Sequence, residues 1–137
     1  MSPGYESATH SFYYGQDPTT CTYNTGVANT GTLTSPSIGG AGASATLRFW
    51  YWRQVEAYKF ASYDKTYVQV TYNGGLTWTT VWSEDSKIAS ENAWTQASVV
   101  LSPTSSTMQV RFVFDSVDSF NNGYKGWLID DVTVQNN

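Results

Sequence analysis

The sequence predicts an all-β protein whose fold is an antiparallel β-sandwich with jelly-roll topology and about eight strands. Apolar and polar residues alternate with a period of two in several short segments, and clusters of Gly, Pro, Asn and Ser separate these segments. No segment shows a convincing long helical period. Strands of this number and spacing fit two packed antiparallel sheets, and an immunoglobulin-like sandwich is the alternative arrangement.

The chain length of 137 residues corresponds to one domain with a sizeable core. We therefore expect a single domain over residues 1–137. The first residues, M-S-P-G-Y-E-S, lack the basic region and the apolar core of a signal peptide. If the domain is secreted, it is expected to have been cut from a longer precursor.

Alternation and turn residues give the bounds of the predicted strands. In chain order the strands are 10–14, 31–35, 45–53, 66–72, 77–82, 94–101, 107–115 and 126–134. Residues 15–30 are predicted to form a long loop, and residues 36–44 a flexible connection. Residues 54–65 have the only helix-tolerant composition and are expected to form a turn or a short helix, and residues 83–93 an exposed loop.

The strand predicted at 45–53 carries aromatic residues on both of its faces. Alternation gives one face with Leu47, Phe49 and Tyr51 and another with Arg48, Trp50 and Trp52. A sandwich strand usually buries only one face. Either covering loops or a central position in the sheet buries the two tryptophans, or they form an exposed aromatic platform.

A tight hairpin is predicted at Asn73-Gly74-Gly75, because these residues accept positive φ at little cost. The segment T-Y-N-G-G-L-T-W resembles the Asp-box hairpin of sialidases and many secreted β-proteins, with Asn73 where that box usually has Asp. The hairpin is a folding device and does not indicate sialidase activity.

Composition and charge exclude several functional classes. The net charge of −4, with seven scattered basic residues, gives no footprint for a nucleic-acid backbone. No apolar run approaches the length of a membrane span. Cys21 and His10 each lack the neighbours of a redox, zinc or catalytic motif. The aromatic fraction of 16% and the charged fraction of 13% suit an extracellular or cell-surface β-protein.

The last predicted strand contains two adjacent carboxylates, Asp130 and Asp131. Strands are depleted in Asp, because its side chain prefers to bond neighbouring backbone groups. Asp115 and Asp118 lie just upstream in D-S-V-D-S-F-N-N-G, and Ca²⁺ takes six to eight oxygen ligands. The sequence therefore predicts a structural Ca²⁺ in this region. Alternatively, Asp130 and Asp131 point to opposite faces, one to solvent and one to a neighbouring loop.

Several motifs together resemble one family. They are H-S-F-Y-Y-G, G-T-L-T-S-P-S-I, T-L-R-F-W-Y-W, Y-V-Q-V-T-Y-N-G-G-L-T-W, W-T-Q-A-S-V-V-L-S, V-R-F-V-F-D-S and G-W-L-I-D-D-V-T-V. Their order and spacing, from about residue 7 onward, resemble the MAM-like jelly-roll domains appended to secreted bacterial proteins. That group includes immune-inhibitor-A-type metallopeptidases, subtilisin-like peptidases and the cleaved-adhesin domains of gingipains.

The resemblance implies a non-catalytic sandwich, commonly stabilised by Ca²⁺, that accompanies a catalytic or anchoring domain and serves adhesion, substrate docking or glycan contact. It places cation ligands at Asp130 and Asp131. Many relatives begin with an additional strand, which this chain has little room for, so Glu6 is the carboxylate available as an N-terminal ligand. The predicted metal ligands are Asp130, Asp131, Asp118, Asp115 and Glu6.

Two other functions remain open from the residues. A carbohydrate-binding module would stack sugar rings on aromatic side chains and bind hydroxyls with polar ones, and the predicted surface comprises Trp50, Trp52, Arg48, Tyr67 and Gln69. The more distant alternative is a glycoside-active enzyme, in which Asp64, Asp115, Asp118 and Glu56 would converge.

The interpretation that follows is a non-catalytic accessory module with a structural Ca²⁺, which attaches a larger secreted protein to a glycan or protein surface. We expect a monomer whose other partner is the parent catalytic domain.

Overall fold

The computed structural model describes residue 6 and residues 10–16, 20–84 and 90–137. These residues form nine strands and no helix: β1 (Phe12–Tyr14), β2 (Thr30–Thr34), β3 (Ile38–Gly39), β4 (Ala45–Gln54), β5 (Lys65–Thr71), β6 (Thr79–Glu84), β7 (Thr95–Leu101), β8 (Thr107–Asp115) and β9 (Gly126–Asn136). The described chain accordingly has no helix that could span a bilayer. The predicted all-β class is confirmed.

The strands form two antiparallel sheets that pack face to face. One sheet has four strands in the order β1-β9-β4-β7, and the other has five strands, with β2-β8-β5-β6 in order and β3 paired to β8. Because strands that are consecutive in the chain, such as β4 and β5, lie in different sheets, the chain crosses repeatedly between the layers. The predicted jelly-roll sandwich is confirmed.

One local expectation changes, and a second region adopts the turn that was one of its two expected forms. The ninth strand, β3, lies in the predicted flexible connection, where Ile38 pairs with Met108 of β8. Residues 54–65 form a turn at 59–60 and no helix. The helix-tolerant composition was a weak signal, since tertiary context routinely overrides propensity.

The inner faces of the two sheets form one aromatic-rich core, which includes the predicted face of β4 with Leu47, Phe49 and Tyr51. Leu47, Phe49, Tyr51, Val68, Val70, Ala97, Leu101, Met108, Val110, Phe112 and Phe114 are all buried. Phe49 meets Trp82 edge-on at 5.3 Å and Phe112 at 5.1 Å. Edge-to-face ring pairs add to the free energy gained from apolar burial, so this cluster fixes the spacing of the two sheets.

Three connections meet at one end of the sandwich: the described part of residues 15–29 (15–16 and 20–29), residues 55–64 and residues 116–125. Strand pairing places them together, because Asp115 pairs with both Thr30 and Lys65. Hydrogen bonds join the connections, including Ser116 N to Asn29 O (2.9 Å). We call this region the loop end.

Gly126 begins β9 beside the loop end with φ of +91°. A Cβ atom here would collide with the carbonyl oxygen of Tyr14. Only glycine accepts both this conformation and this approach, so residue 126 fixes where β9 enters its sheet.

Arg53 lies at the end of β4 with a fully buried side chain. Its Nε donates to Glu91 Oε2 at 2.8 Å, and its Nη2 donates to Glu91 Oε1 at 3.1 Å. A buried guanidinium requires such a partner. The pair therefore anchors the segment before β7 to β4.

Candidate cation and ligand sites

A β-bulge in β9 determines the positions of Asp130 and Asp131. Arg48 of β4 pairs with Thr133 and Trp50 pairs with Asp130, so two residues of β9 lie opposite one residue of β4. Asp131 is one of these two residues and has φ of +47°. The left-handed conformation interrupts side-chain alternation at this point. The two carboxylates consequently do not follow the simple opposite-face pattern of a regular strand.

The bulge brings three of the five predicted metal ligands together. The backbone N–H of Glu6 donates to Asp130 Oδ2 at 2.9 Å, and the Glu6 carboxyl group is hydrogen-bonded to the Asp131 side chain. Desolvation, followed by the negative charge and hydrogen bond of Asp131, raises the pKa of Glu6. We call Glu6, Asp130 and Asp131 the carboxylate cluster.

The donor atoms of this cluster suit a hard divalent cation. Carboxylate oxygens are the usual protein ligands of Ca²⁺, and mutual repulsion between neighbouring carboxylates is relieved by a bound cation. Among the described residues, however, no three His, Cys, Asp or Glu side chains are arranged to hold one metal ion together. The carboxylate cluster therefore has side chains of the type that bind Ca²⁺, but these side chains are not arranged around one common metal position.

Asp115 and Asp118 are not brought to the carboxylate cluster. Asp115 ends β8 in the other sheet, where its Oδ1 accepts a hydrogen bond from Val117 N at 2.8 Å. Asp118 Oδ1 accepts one from Phe120 N, also at 2.8 Å. Both side chains stabilise turns of the loop end, the common local use of Asp.

The five predicted ligand-binding residues lie on two separate surfaces. Arg48, Trp50 and Trp52 belong to β4 of the four-stranded sheet, whereas Tyr67 and Gln69 belong to β5 of the five-stranded sheet. Both sets alternate with core residues, so they face outward from opposite sides of the sandwich. A single platform made of all five residues is not formed.

The two tryptophans of β4 do not form an open platform. Trp52 is only 6% exposed, and Lys125 Nζ lies 5.7 Å from its ring. Trp50 is half-buried, and Arg48 Nη1 donates to Gln135 Oε1 at 3.2 Å. This face is therefore largely a packed surface. That result agrees with the interpretation in which the surrounding structure buries the tryptophans.

The outer face of the five-stranded sheet carries an ordered polar and aromatic group around Gln69. Arg111 Nε donates to Gln69 Oε1 at 2.8 Å, and Gln69 Nε2 donates to Thr80 Oγ1 at 3.1 Å. The guanidinium carbon of Arg111 lies 4.1 Å from the ring centroid of Trp78. We call this outer surface, comprising Tyr67, Gln69, Trp78, Thr80 and Arg111, the β5 face.

Sequence reasoning missed Arg111 and Trp78 as members of this group. Arg111 alternates with the apolar residues Val110 and Phe112 in the sequence, which was the available signal. No local pattern showed that β8 lies next to β5, because their pairing joins residues about 40 positions apart, as in Gln69↔Arg111.

The Asn73 hairpin holds Trp78 beside this group. Asn73 Oδ1 accepts a hydrogen bond from Thr77 N at 2.9 Å, and its Nδ2 donates to Thr77 Oγ1 at 2.8 Å. Gly74 and Gly75 have φ of +69° and +91°. The predicted hairpin is confirmed, and its rigidity limits where Trp78 can lie.

A buried carboxylate network lies beneath the loop end. Asp64 is fully buried, and its Oδ2 accepts hydrogen bonds from Tyr23 Oη at 2.5 Å and from Glu56 N at 2.9 Å. Burial raises the pKa of Asp64 to about 6. Glu56 Oε1 accepts a hydrogen bond from Asn121 Nδ2 at 2.9 Å. These contacts join all three connections of the loop end.

The carboxylates considered for glycoside chemistry are used within this network and its turns. Asp64 has no exposed surface with which to meet a substrate, and Asp115 and Asp118 bond turn amides. The arrangement does not form the open, paired acid and base that glycoside hydrolysis requires.

An apolar cleft lies at the edge of the sandwich, between β1 and β2. Its volume is about 330 Å³, and it is lined by Phe12, Tyr13, Tyr14, Gly31, Thr32, Leu33, Phe112, Phe114, Trp127 and Ile129. Few polar groups converge there. The cleft thus lacks the hydrogen-bonding groups that orient a sugar or a reacting ligand.

Comparisons with known proteins identify the class of this sandwich and then its family. In fold, the chain resembles a solved structure of TmCBM61 in complex with β-1,4-galactotriose, with a TM-score of 0.55 and 11% sequence identity over 82% of this chain and 66% of that chain. The chain thus spans just under two thirds of TmCBM61. A structure described as "CBM4 structure and function" has a TM-score of 0.44 and 17% identity over 76% of this chain and 59% of that chain.

The family is shown by sequence. The family model of the MAM domain, meprin/A5/mu, matches residues 9–137. The chain therefore belongs to the MAM domain family, as its motifs predicted. No protein with curated annotation matches the chain.

Proposed function

We propose that this MAM domain is a non-catalytic module that attaches a larger secreted protein to a surface, and that its principal ligand is a glycan bound on the β5 face. The observation that carries the proposal is the fixed arrangement of Arg111, Gln69 and Trp78. Sugars are bound by stacking on aromatic rings and by hydrogen bonds from polar groups held in place. The fold shared with TmCBM61, whose structure contains β-1,4-galactotriose, supports a glycan as the ligand class.

A structural Ca²⁺ is part of this proposal. Glu6, Asp130 and Asp131 would hold it, and it would neutralise the carboxylate cluster and fix the bulge of β9. Asp115 and Asp118 have no part in this site, because both are engaged in turns of the loop end. The proposed domain covers residues 1–137, is monomeric and extracellular, and accompanies a catalytic domain of its parent protein.

Protein docking is the second candidate, and a separate surface favours it. Most of the exposed large apolar side chains of the described residues lie at the loop end: Val27, Tyr58, Phe60, Val117, Phe120 and Tyr124. Exposed apolar groups that cluster commonly mark interaction sites. Adhesion to a protein would therefore use the loop end and leave the β5 face free.

A glycan array with matched variants tests the proposal. Y67A and Q69A alter the β5 face, whereas R48A alters the opposite face and serves as the control. We expect Y67A and Q69A to weaken binding about tenfold, since each removes one stacking or hydrogen-bonding group of about 1–2 kcal/mol. R48A should leave binding unchanged.

The proposal fails if the intact domain binds no glycan, or if R48A weakens binding as much as Q69A does. Binding of a protein ligand that is lost in F60S and retained in Q69A would instead establish docking through the loop end.

A further inference from the structure

We infer that Arg111 makes the β5 face selective for acidic glycans, by binding an anionic substituent of the sugar. The inference rests on the proposed function and adds the chemical class of its ligand. The anionic group is a carboxylate, as in a uronic acid, or a sulfate ester. Both present paired oxygen atoms to a guanidinium group.

Strand register places Arg111 in the middle of the β5 face. Thr34 of β2 pairs with Arg111, Arg111 pairs with Gln69, and Gln69 pairs with Thr80 of β6. These side chains form a row across four neighbouring strands. Arg111 is only half-buried, so a ligand lying across the sheet can reach it.

The guanidinium group is held in one orientation before any ligand binds. Arg111 Nε donates a hydrogen bond to Gln69 Oε1 at 2.8 Å, and Gln69 Nε2 in turn donates to Thr80 Oγ1 at 3.1 Å. The Trp78 ring lies against the guanidinium group, with 4.1 Å between the guanidinium carbon and the ring centroid. A side chain that is already ordered loses less conformational entropy when it binds. No hydrogen bond to another described residue engages Nη1 or Nη2, and these two amino groups form a planar fork for two anionic oxygens.

The positive charge of Arg111 is not neutralised within the described part of the chain. The ion pair found there joins Arg53 to Glu91, and Arg111 is held instead by a neutral amide and an aromatic ring. A neutral sugar would leave the charge uncompensated, whereas an acidic sugar would neutralise it.

Tyr67 offers the glycan a second contact on the β5 face, at about the length of one sugar unit from the Gln69–Arg111 pair. Residues 67 and 69 share the outward side of β5, and residues two apart on a strand are separated by roughly 6.5–7 Å. That spacing is comparable to the length of one sugar unit. An acidic unit on Arg111 would thus place its neighbour near the half-buried Tyr67 ring.

The competing explanation is that Arg111 only covers Trp78. Arginine commonly packs its stem and guanidinium group on aromatic rings. Under that explanation, R111Q and R111K would change stability or the Trp78 environment and would not change preference between acidic and neutral sugars. Ligand preference therefore separates the two explanations.

The test uses acidic oligosaccharides and their neutral counterparts. Tetramers of galacturonic, glucuronic and mannuronic acid are each compared with the same tetramer after reduction of its carboxyl groups. Dextran sulfate and dextran provide the corresponding sulfate pair. Dissociation constants are measured by calorimetry for the intact domain, R111Q, R111K and R48Q.

We expect the intact domain to prefer at least one acidic member over its neutral counterpart by about tenfold or more, the effect of one charged hydrogen-bonded pair. R111Q should remove this preference, because it weakens binding of the acidic member more than binding of its neutral counterpart. R111K should keep part of it, because lysine retains the charge but lacks the planar fork. R48Q, on the opposite face, should behave as the intact domain, and circular dichroism confirms the fold of every variant.

Two results would overturn the inference. Tight binding to neutral tetramers without preference for an acidic partner, or a preference that survives in R111Q, removes Arg111 from ligand selection while the proposed glycan function stands. Absence of binding to every acidic and neutral glycan overturns the proposed function together with the inference.

Discussion

Asp64 is the residue whose chemistry departs furthest from that of an ordinary surface acid. Its Oδ2 accepts two hydrogen bonds, whereas its buried Oδ1 has no partner in the described structure. Burial raises its pKa from 3.8 to about 6, and the hydrogen bonds from Tyr23 and Glu56 only partly oppose this rise. Its φ of +51° is one that Asp and Asn accept more readily than most residues. The site thus tolerates the carboxylate at a cost in stability at neutral pH.

The first prediction concerns D64N. Because the folded-state pKa of Asp64 is raised, the folded state binds more protons than the unfolded state between pH 3.8 and about 6. The contribution of Asp64 to stability is therefore most favourable below this window and is lost as pH rises through it. Asn can keep both hydrogen bonds without the charge. D64N should be more stable than the intact domain by ~2–3 kcal/mol at neutral pH, and the difference should shrink as pH falls and nearly vanish at pH 3.8 and below.

Urea unfolding of both proteins across this pH range measures the difference. D64A is the matched control, since it loses the charge and both hydrogen bonds, and it should be less stable than D64N at every pH. Parallel pH profiles for the intact domain and D64N would contradict the raised pKa.

At the scale of elements, the hairpin between β5 and β6 connects local folding to the ligand surface. The side chain of Asn73 bonds both the backbone and the hydroxyl group of Thr77, and Thr71 Oγ1 accepts a hydrogen bond from Gly75 N at 3.0 Å. The hairpin therefore does more than reverse the chain. It also fixes the backbone position of Trp78, and the Arg111 guanidinium group lies over the ring of that residue.

The second prediction is that N73A lowers the free energy of unfolding by about 1–2 kcal/mol, because the amide of Thr77 loses its acceptor. N73D should cost less, since one carboxylate oxygen can accept from the Thr77 amide and the other from the Thr77 hydroxyl group. Chemical unfolding followed by fluorescence provides the measurement. L76A alters a side chain that is 85% exposed in the same turn and should have almost no effect; equal stability of N73A and L76A would refute the role of the side chain.

Predictability from sequence differs between elements for physical reasons. Alternation correctly separated the two faces of β4, because burial of one face leaves a period of two. The short strand β3 was missed, since Ile38 and Gly39 form a strand only through pairing with β8. The bulge at Asp131 was missed as well. A bulge depends on the register between β9 and β4, which neither segment encodes alone.

At the scale of the whole molecule, strand pairing that no single segment encodes also explains why only part of each candidate site was predicted. Adjacent carboxylates at 130 and 131 were visible in the sequence, and the resemblance supplied Glu6. Asp115 and Asp118 were assigned to the same site by proximity in the chain, yet turn amides engage both side chains. Trp50 and Tyr67 were joined into one surface because β4 and β5 are consecutive. The topology of the sandwich places those strands in different sheets, and no local pattern reveals this.

The third prediction concerns the stability of the entire domain. Ca²⁺ that binds only the folded state stabilises it by mass action, by ~2.7 kcal/mol at a hundredfold excess over the dissociation constant. The Tm should therefore rise with added Ca²⁺ and fall in EDTA. E6Q and D131N should abolish the response, since each removes a carboxylate of the cluster.

D115N is the matched control, because Asp115 belongs to a turn of the loop end, and its response to Ca²⁺ should remain intact. Scanning calorimetry of the four proteins, with and without the cation, provides the measurement. A Tm that is unaffected by EDTA, or a Ca²⁺ response lost in D115N and kept in D131N, would exclude the carboxylate cluster as the site.

The carboxylate cluster and the β5 face lie on opposite outer sides of the sandwich, with the aromatic core between them. Groups on opposite sides of a packed core usually contribute additively to free energy. Substitutions in the β5 face that change the ligand preference should consequently leave the free energy of unfolding unchanged. Substitutions in the carboxylate cluster should change the free energy of unfolding and leave the ligand preference unchanged. Such a division lets one scaffold diversify its targets over generations without repeatedly having to recover a lost fold.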